Sequence, residues 1–306
     1  MAELSWSVYW FMFPVCVVVA SVAMFSGISG AALLTPLFLI GFPLLDVPRL
    51  TTVAAIGTSL FLETSGFGTG VYRYVRFRLV DVPTARALIA VTLPLGGLGA
   101  VVSRQVPAQS LRIGYGVAMV ALAWVLARDR GGQASPLPAP ALVAGSERSH
   151  KPCPEGEERV ITSAAGKVFD FCAHGLGLQR LLSGAGAFVA GLISTGVGEA
   201  TLPPLVRRSH FPVPVAAATS TVVVAGTVVG AATTHLVQLA AEDGLSAIPW
   251  NLIVWAVPGA VLGAAVGTRL QGRVSEDASR RFFTLLFLLI GVTFLVAFTA
   301  FRSRFG

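Results

Sequence analysis

The chain has 306 residues, of which only 12% are charged and 54% are hydrophobic, and its mean hydropathy is +0.76. A soluble globular chain carries about 25% charged residues, so this one cannot cover a water-facing surface. That excludes a soluble enzyme, a nucleic-acid binder and a disordered chain. The net charge of +7 is almost wholly arginine, because Lys151 and Lys167 are the only lysines; in so apolar a chain, arginine reports which loops face the cytoplasm.

In chain order the apolar segments are 8–41, 50–72, 82–102 and 110–127, then 176–206, 212–234, 249–271 and 281–301. Such runs are long enough to cross a bilayer. The sequence therefore predicts an all-α polytopic membrane protein of the cell membrane, with a first repeat at 1–127, a linker at 128–175 and a second repeat at 176–306. Met1-Ala-Glu-Leu carries no basic region, so the first apolar run is expected to belong to the fold. Trp6, Trp10 and Trp250 stand at segment edges, as interface anchors do.

Residues 8–41 are too long for one span: as a single helix they would reach about 50 Å across a hydrocarbon core of about 30 Å. Glycines interrupt the run at Ser26-Gly27-Ile28-Ser29-Gly30, and again in the second repeat at Ser194-Thr195-Gly196-Val197-Gly198. Each reads as a broken helix or a re-entrant hairpin. The linker holds Pro136, Pro138, Pro140, Pro152 and Pro154, and its end alternates around Gly166, the pattern of a small β-hairpin. Three cysteines, Cys16, Cys153 and Cys172, form no disulfide framework. His150, Cys153, Cys172 and His174 have untypical zinc spacing, and no metal or cofactor is expected.

The halves repeat. At a shift of 168, Ser26, Gly30, Ala32, Leu34, Pro36 and Leu37 match Ser194, Gly198, Ala200, Leu202, Pro204 and Leu205. At a shift of 161, Ala55, Thr58 and Ser59 match Ala216, Thr219 and Ser220; at 164, Pro94, Leu98, Gly99, Ala100 and Val102 match Pro258, Leu262, Gly263, Ala264 and Val266. Ordered internal repeats of this kind mark secondary transporters.

Arginine decides the orientation. If each broken segment crosses once, the loops divide 8 against 9. If each returns to its own side, Arg73, Arg76, Arg78, Arg128, Arg130, Arg180, Arg207, Arg208, Arg269, Arg273, Arg280 and Arg281 share one side. Arg49, Arg104, Arg112, Arg302 and Arg304 take the other, a division of 12 against 5. Positive charge collects inside, so the expectation is inverted repeats, each a broken first helix plus about three spans, with a cytoplasmic linker and external termini.

The candidate site follows from the breaks. Irregular backbone at membrane depth lines protein or water, and the half-helices that restart there present N–H groups and partial positive charge. The expected anion site is Ser29, Gly30, Ala31 and Ala32 with Gly198, Glu199 and Ala200. Thr58, Ser59, Thr219 and Ser220 are expected to donate hydroxyls. The alternative is that the break glycines merely let helices approach, as Gly259, Gly263 and Gly267 are expected to do. Glu199 and Glu63 are intramembrane carboxylates and hence candidate proton carriers; Glu199 could instead be a helix-start cap and Glu63 the partner of an arginine. His235, at the end of its segment, is expected at the interface.

These motifs resemble the TauE/SafE family of sulfite exporters. The likeness rests on Gly27-x-x-Gly30-x-x-Leu-Leu-x-Pro36-Leu, Ala55-x-x-Thr58-Ser59 and Tyr72-x-Tyr-x-x-Phe-x-x-Val80-Asp81, then on Gly191-Leu-Ile-Ser-Thr-Gly-Val-Gly198 with Pro203-Pro204-Leu and Ala217-Ala-Thr219-Ser220. Ser29, Ala31, Thr195 and Val197 stand where the family favours glycine. The resemblance implies a permease for sulfite, sulfonates or similar oxyanions. No phosphate-binding Gly-x-x-x-x-Gly-Lys-[Ser/Thr] is present, so active transport would draw on a gradient, with protons and the anion as partners. The rival readings are an anion channel and a rhomboid-like protease with Ser29 as nucleophile; the repeat argues against the protease, since Val197 stands at the matching position.

Overall fold

A computed structural model describes residues 6–26, 29–128, 156–195, 197–270 and 276–299. The described helices fall into two matching sets. The first is α1 (Met12–Ser26), α2 (Ala31–Leu44), α3 (Thr52–Arg76), α4 (Val82–Gln105) and α5 (Ala108–Arg128). The second is α6 (Leu176–Ile193), α7 (Val197–Arg207), α8 (Val213–Asp243), α9 (Trp250–Leu270) and α10 (Glu276–Thr299). The chain is an all-α polytopic membrane protein: α4, α5, α6, α8, α9 and α10 are each long and apolar enough to cross a bilayer. α3 has 25 residues but carries Thr58, Ser59, Glu63, Thr64 and Ser65 along its middle.

Local chemistry sets the ends. The Thr51 side chain accepts from the N–H of Ala54 at 3.2 Å and caps α3, meeting one of the N–H groups that a helix start leaves unpaired. Arg73 and Arg76 close the same helix, where a cation suits the negative end. Pro36 interrupts α2, and a π-helical turn, Leu37–Gly41, follows it, because proline withholds the N–H that the regular ladder needs.

Both broken segments fold back. In the first, the Tyr9 ring lies 5.6 Å from that of Phe42, and its hydroxyl donates to the Pro48 carbonyl at 3.4 Å, so the end of α2 returns to the start of α1. In the second, Gln179 of α6 donates to the carbonyl of Thr201 in α7 at 3.0 Å.

The halves interlock reciprocally. α1 lies along α9, and its counterpart α6 lies along α4; α3 faces its own counterpart α8, and α5 faces α10. Glycines make the first two contacts close. A methyl group at Gly259, Gly263 or Gly267 would overlap the carbonyl oxygen of Phe13, Val17 or Ser21, and one at Gly99 or Gly191 would overlap that of Phe188 or Gly96. The packing role read for Gly259, Gly263 and Gly267 is therefore seen. α3 and α8 run antiparallel, since Gly57 meets His235 while Gly70 meets Thr221. α5 and α10 do so too, with Gln109 of α5 donating to the Phe298 carbonyl at 3.3 Å.

The alternation around Gly166 forms β1 (Glu157–Thr162) and β2 (Val168–Ala173), paired antiparallel from Glu157–Ala173 to Thr162–Val168. The pair docks on one end of the bundle. Phe169, Phe171 and Ala173 are buried beside Leu205 and Phe211, Arg159 reaches Asp81 at 4.0 Å, and Ala164 N–H donates to the Phe77 carbonyl at 2.9 Å.

One expectation is corrected here. α8 continues past 234 to Asp243, so His235 is inside it and only 1% exposed. Leu236, Val237, Leu239, Ala240 and Ala241 carry the helix on past His235 to Glu242 and Asp243, which pair with Arg104.

Candidate functional site

At the first break α2 starts from Gly30, whose backbone is helical, with φ −65°. The Gly30 N–H donates to Oε1 of Glu63 at 2.8 Å, and Glu63 is 5% exposed. So a carboxylate from α3 meets the positive end of α2. Gly30 and Glu63 also line a cavity of about 20 Å³ with Cys16, Met24, Leu34 and Phe67, room for about one water molecule. Ser29 Oγ accepts from Ala32 N at 3.4 Å, and the Ala32 carbonyl accepts from the Tyr115 hydroxyl. Ala31 and Ala32 are fully buried. Gly27 and Ile28 lie outside the described residues.

At the second break α6 ends on Ser194, which adopts φ 61°, and α7 restarts at Val197. The first N–H groups of α7, among them Gly198, Glu199 and Ala200, have no carbonyl four residues back within the helix. The nearest atom to a methyl at Gly198 would be Val224 Cγ2, at 3.9 Å. Gly196 and the Glu199 side chain lie outside the described residues. His235 closes this region, with Nε2 2.8 Å from the Gly191 carbonyl; since a carbonyl only accepts, Nε2 carries the hydrogen there, and Nδ1 has no partner among the described residues.

Between the breaks sits a hydroxyl cluster that the sequence reading did not assemble. Thr35 Oγ1 lies 2.8 Å from Ser59 Oγ and 2.7 Å from Ser194 Oγ. Thr58 and Thr195, buried beside it in sequence, have no hydrogen-bond partner among the described residues.

Thr219 and Ser220 are elsewhere. Thr219 Oγ1 accepts from Asp81 N at 3.0 Å, and Ser220 Oγ donates to Ala217 O, back into its own helix, at 3.1 Å. Because α3 and α8 are antiparallel, the Thr58–Ser59 pair and the Thr219–Ser220 pair stand about 20 Å apart along the helices, at 1.5 Å per residue. The four hydroxyls expected around one anion are thus not brought together. The pairs stand at matched positions in the sequence; the antiparallel course of α3 and α8 sends those positions to opposite ends.

Among the described residues no group of His, Cys, Asp and Glu could hold a metal ion. His150 and Cys153 lie outside the described residues, and Cys172 is disulfide-bonded, which removes a thiolate from the set and departs from the reading of unpaired cysteines.

The family description "Sulfite exporter TauE/SafE" matches residues 12–294. The probable membrane transporter protein YunE of Bacillus subtilis (strain 168) is 21% identical over 241 residues, covering 79% of this chain and 80% of that protein. No solved structure matches. The chain belongs to the TauE/SafE sulfite exporter family, and it is a multi-pass membrane transporter.

Proposed function

We propose that this TauE/SafE protein is a secondary transporter of a sulfur oxyanion, sulfite or a small organosulfonate such as sulfoacetate, held near the membrane midplane between its two breaks. The observation that carries the reading is what surrounds Gly30 and Gly198. A methyl at Gly30 would find Ala23 Cβ at 3.6 Å and Glu63 Cγ at 4.0 Å, and one at Gly198 would find Val224 Cγ2 at 3.9 Å. These are ordinary contacts, unlike the overlaps at Gly99, Gly191, Gly259, Gly263 and Gly267. Helix packing therefore does not demand glycine at the breaks. A glycine that packing does not require, at a half-helix start, leaves the backbone N–H groups approachable by an anion.

In this reading the N–H groups from Gly30 to Ala32 and from Gly198 to Ala200 meet the charge, with Ser29, Thr58 and Ser59 beside them. Thr219 and Ser220 belong to the route toward the hairpin end. The antiparallel pairs α3/α8 and α5/α10 support inverted repeats, because counterpart helices of opposite direction require a two-fold axis across the bundle. Glu199 and Glu63 are the carboxylates through which a proton gradient would couple.

The test is a screen on purified protein with sulfite, sulfoacetate, taurine, thiosulfate and sulfate. A ligand that binds the folded state raises the melting temperature, and one sulfur oxyanion should do so. Gly198→Val should fold, lose that shift and lose uptake into proteoliposomes. If no sulfur oxyanion shifts the wild type, the substrate class is wrong; if Gly30→Val and Gly198→Val both transport normally, the site is elsewhere.

A further inference from the structure

Thr35 of α2, Ser59 of α3 and Ser194 at the second break are each at most 1% exposed. A hydroxyl has one hydrogen to give. Ser59 gives its hydrogen to the Ile56 carbonyl, 2.8 Å away in its own helix. Thr35 must then donate to Ser59, and Ser194 to Thr35. The chain has one direction, from Ser194 through Thr35 and Ser59 to the backbone of α3. Hydroxyls in spans ordinarily bond back to their own helix, as Thr64 and Thr221 do. Thr35 instead bonds only to the other two hydroxyls among the described residues, and so ties the first folded-back segment to the second.

Two further observations concern the neighbours of this chain of hydroxyls in the sequence. Thr58 precedes Ser59, is fully buried and has no partner among the described residues; Thr195 follows Ser194, is 2% exposed and has none among them either. Folded proteins leave few buried polar groups unmet, and those few call for a reason. Ser194 ends its helix at φ 61°, its N–H donating to the Ala190 carbonyl, so the turn of the backbone there fixes where its hydroxyl stands.

We propose that Thr35, Ser194 and Thr195, with Thr58 and Ser59, form the part of the substrate seat that reads the oxygens of the anion, and that substrate enters by replacing the Thr35–Ser194 hydrogen bond. The inference rests on the transport reading above and names the residues that do the recognising. Thr58 and Thr195 supply hydrogens that nothing else takes. Ser194 supplies a third by turning from Thr35 to the anion. A pyramidal sulfite or a sulfonate group presents three oxygens to three such donors. Uncharged donors suit it, because the half-helix ends already meet its charge. Once Ser194 turns, Thr35 no longer holds the two segments together, so binding and release of the tie are one event.

The experiment uses the full chain, in detergent for binding and in proteoliposomes for uptake, with sulfite as probe. Thr195 has no bond to lose, so Thr195→Val should melt as the wild type does while binding sulfite at least tenfold more weakly. Ser194→Gly removes the third donor while keeping the left-handed backbone, so it should weaken binding similarly. The Thr35 and Ser194 side-chain oxygens are close enough for Thr35→Cys with Ser194→Cys to form a disulfide; oxidation should stop uptake and a reductant should recover it. Wild-type sulfite affinity in Thr195→Val, or full uptake by the oxidised double variant, overturns the proposal. A wild type that binds none of the five anions overturns the transport reading instead, so the two failures are told apart.

Discussion

At the first break, the N–H of Gly30 points at Glu63; at the second, Gly198 faces Val224. These are equivalent places, since the shift of 161 that relates Thr58–Ser59 to Thr219–Ser220 also relates Glu63 to Val224. One scaffold, repeated, carries a carboxylate on one side and an isopropyl group on the other. The positive end of α2 already has a negative partner drawn from a neighbouring helix. α7 has its acid, Glu199, on its own first turn. The two half-helix starts thus differ in the side chain that faces them, a carboxylate at the first and an isopropyl group at the second.

The comparison can be broken first at its base, the claim that the halves are equivalent. Gly99→Val drives a side chain into the Phe188 carbonyl, and Gly263→Val does so at Val17. Overpacking of this kind costs on the order of 3 kcal/mol, so both variants should lose the folded peak in size-exclusion of detergent extracts. If one tolerates valine and the other does not, the two crossings are not equivalent.

Glu63→Val makes the first break resemble the second. It leaves the buried Gly30 N–H without its acceptor, at a cost of about 1–3 kcal/mol, and thermal unfolding should show it. The reverse exchange, Val224→Glu, places a carboxylate at the second break. Repulsion in a low-dielectric site should weaken sulfite binding about tenfold, or about 1.4 kcal/mol; unchanged affinity by calorimetry would separate α7 from the anion.

Glu199→Gln mimics the protonated acid. If proton and anion are coupled there, sulfite binding persists while the pH dependence of uptake flattens, because coupling is reciprocal. Wild-type pH dependence in this variant would pass the role to Glu63.

Topology changes nothing in activity, yet it sharpens the whole comparison. Here two indicators disagree. The 12-to-5 arginine division puts the β-hairpin in the cytoplasm, whereas disulfide-bonded Cys172 points to an oxidising compartment. We follow the arginines, which are many, over a single cysteine. Ala165→Cys should therefore label only from the cytoplasmic face and Ser246→Cys only from outside; the opposite result would reverse the orientation while leaving the inversion intact.

Much of the fold is legible in the sequence because its causes are local or periodic. Apolar length gives the spans, glycine and proline give the breaks, and matched blocks give the repeat. What escapes is set by partners far along the chain. Thr35 carries no mark that it will meet Ser194, 159 positions later. Glu63 is a visible buried carboxylate, but only the fold shows that its acceptor role is toward Gly30. The burial of His235 comes from Gly57 and Gly191 on other helices, which its own segment does not reveal. The hydroxyl pairs stand at matched positions in the sequence; their separation follows from the direction of α8, which composition does not encode.

The reciprocal docking of α1 on α9 also bears on how the chain is made. α1 leaves the ribosome well before the glycine ridge it rests against, Gly259 to Gly267; Ser21 and Gly263, which are hydrogen-bonded, are 242 positions apart. Domains generally fold in order as they emerge. Here α1 has to wait, with its contact face unfilled, until α9 of the second set has been made. Neither half can close its structure alone, so each half acts as the assembly template for the other.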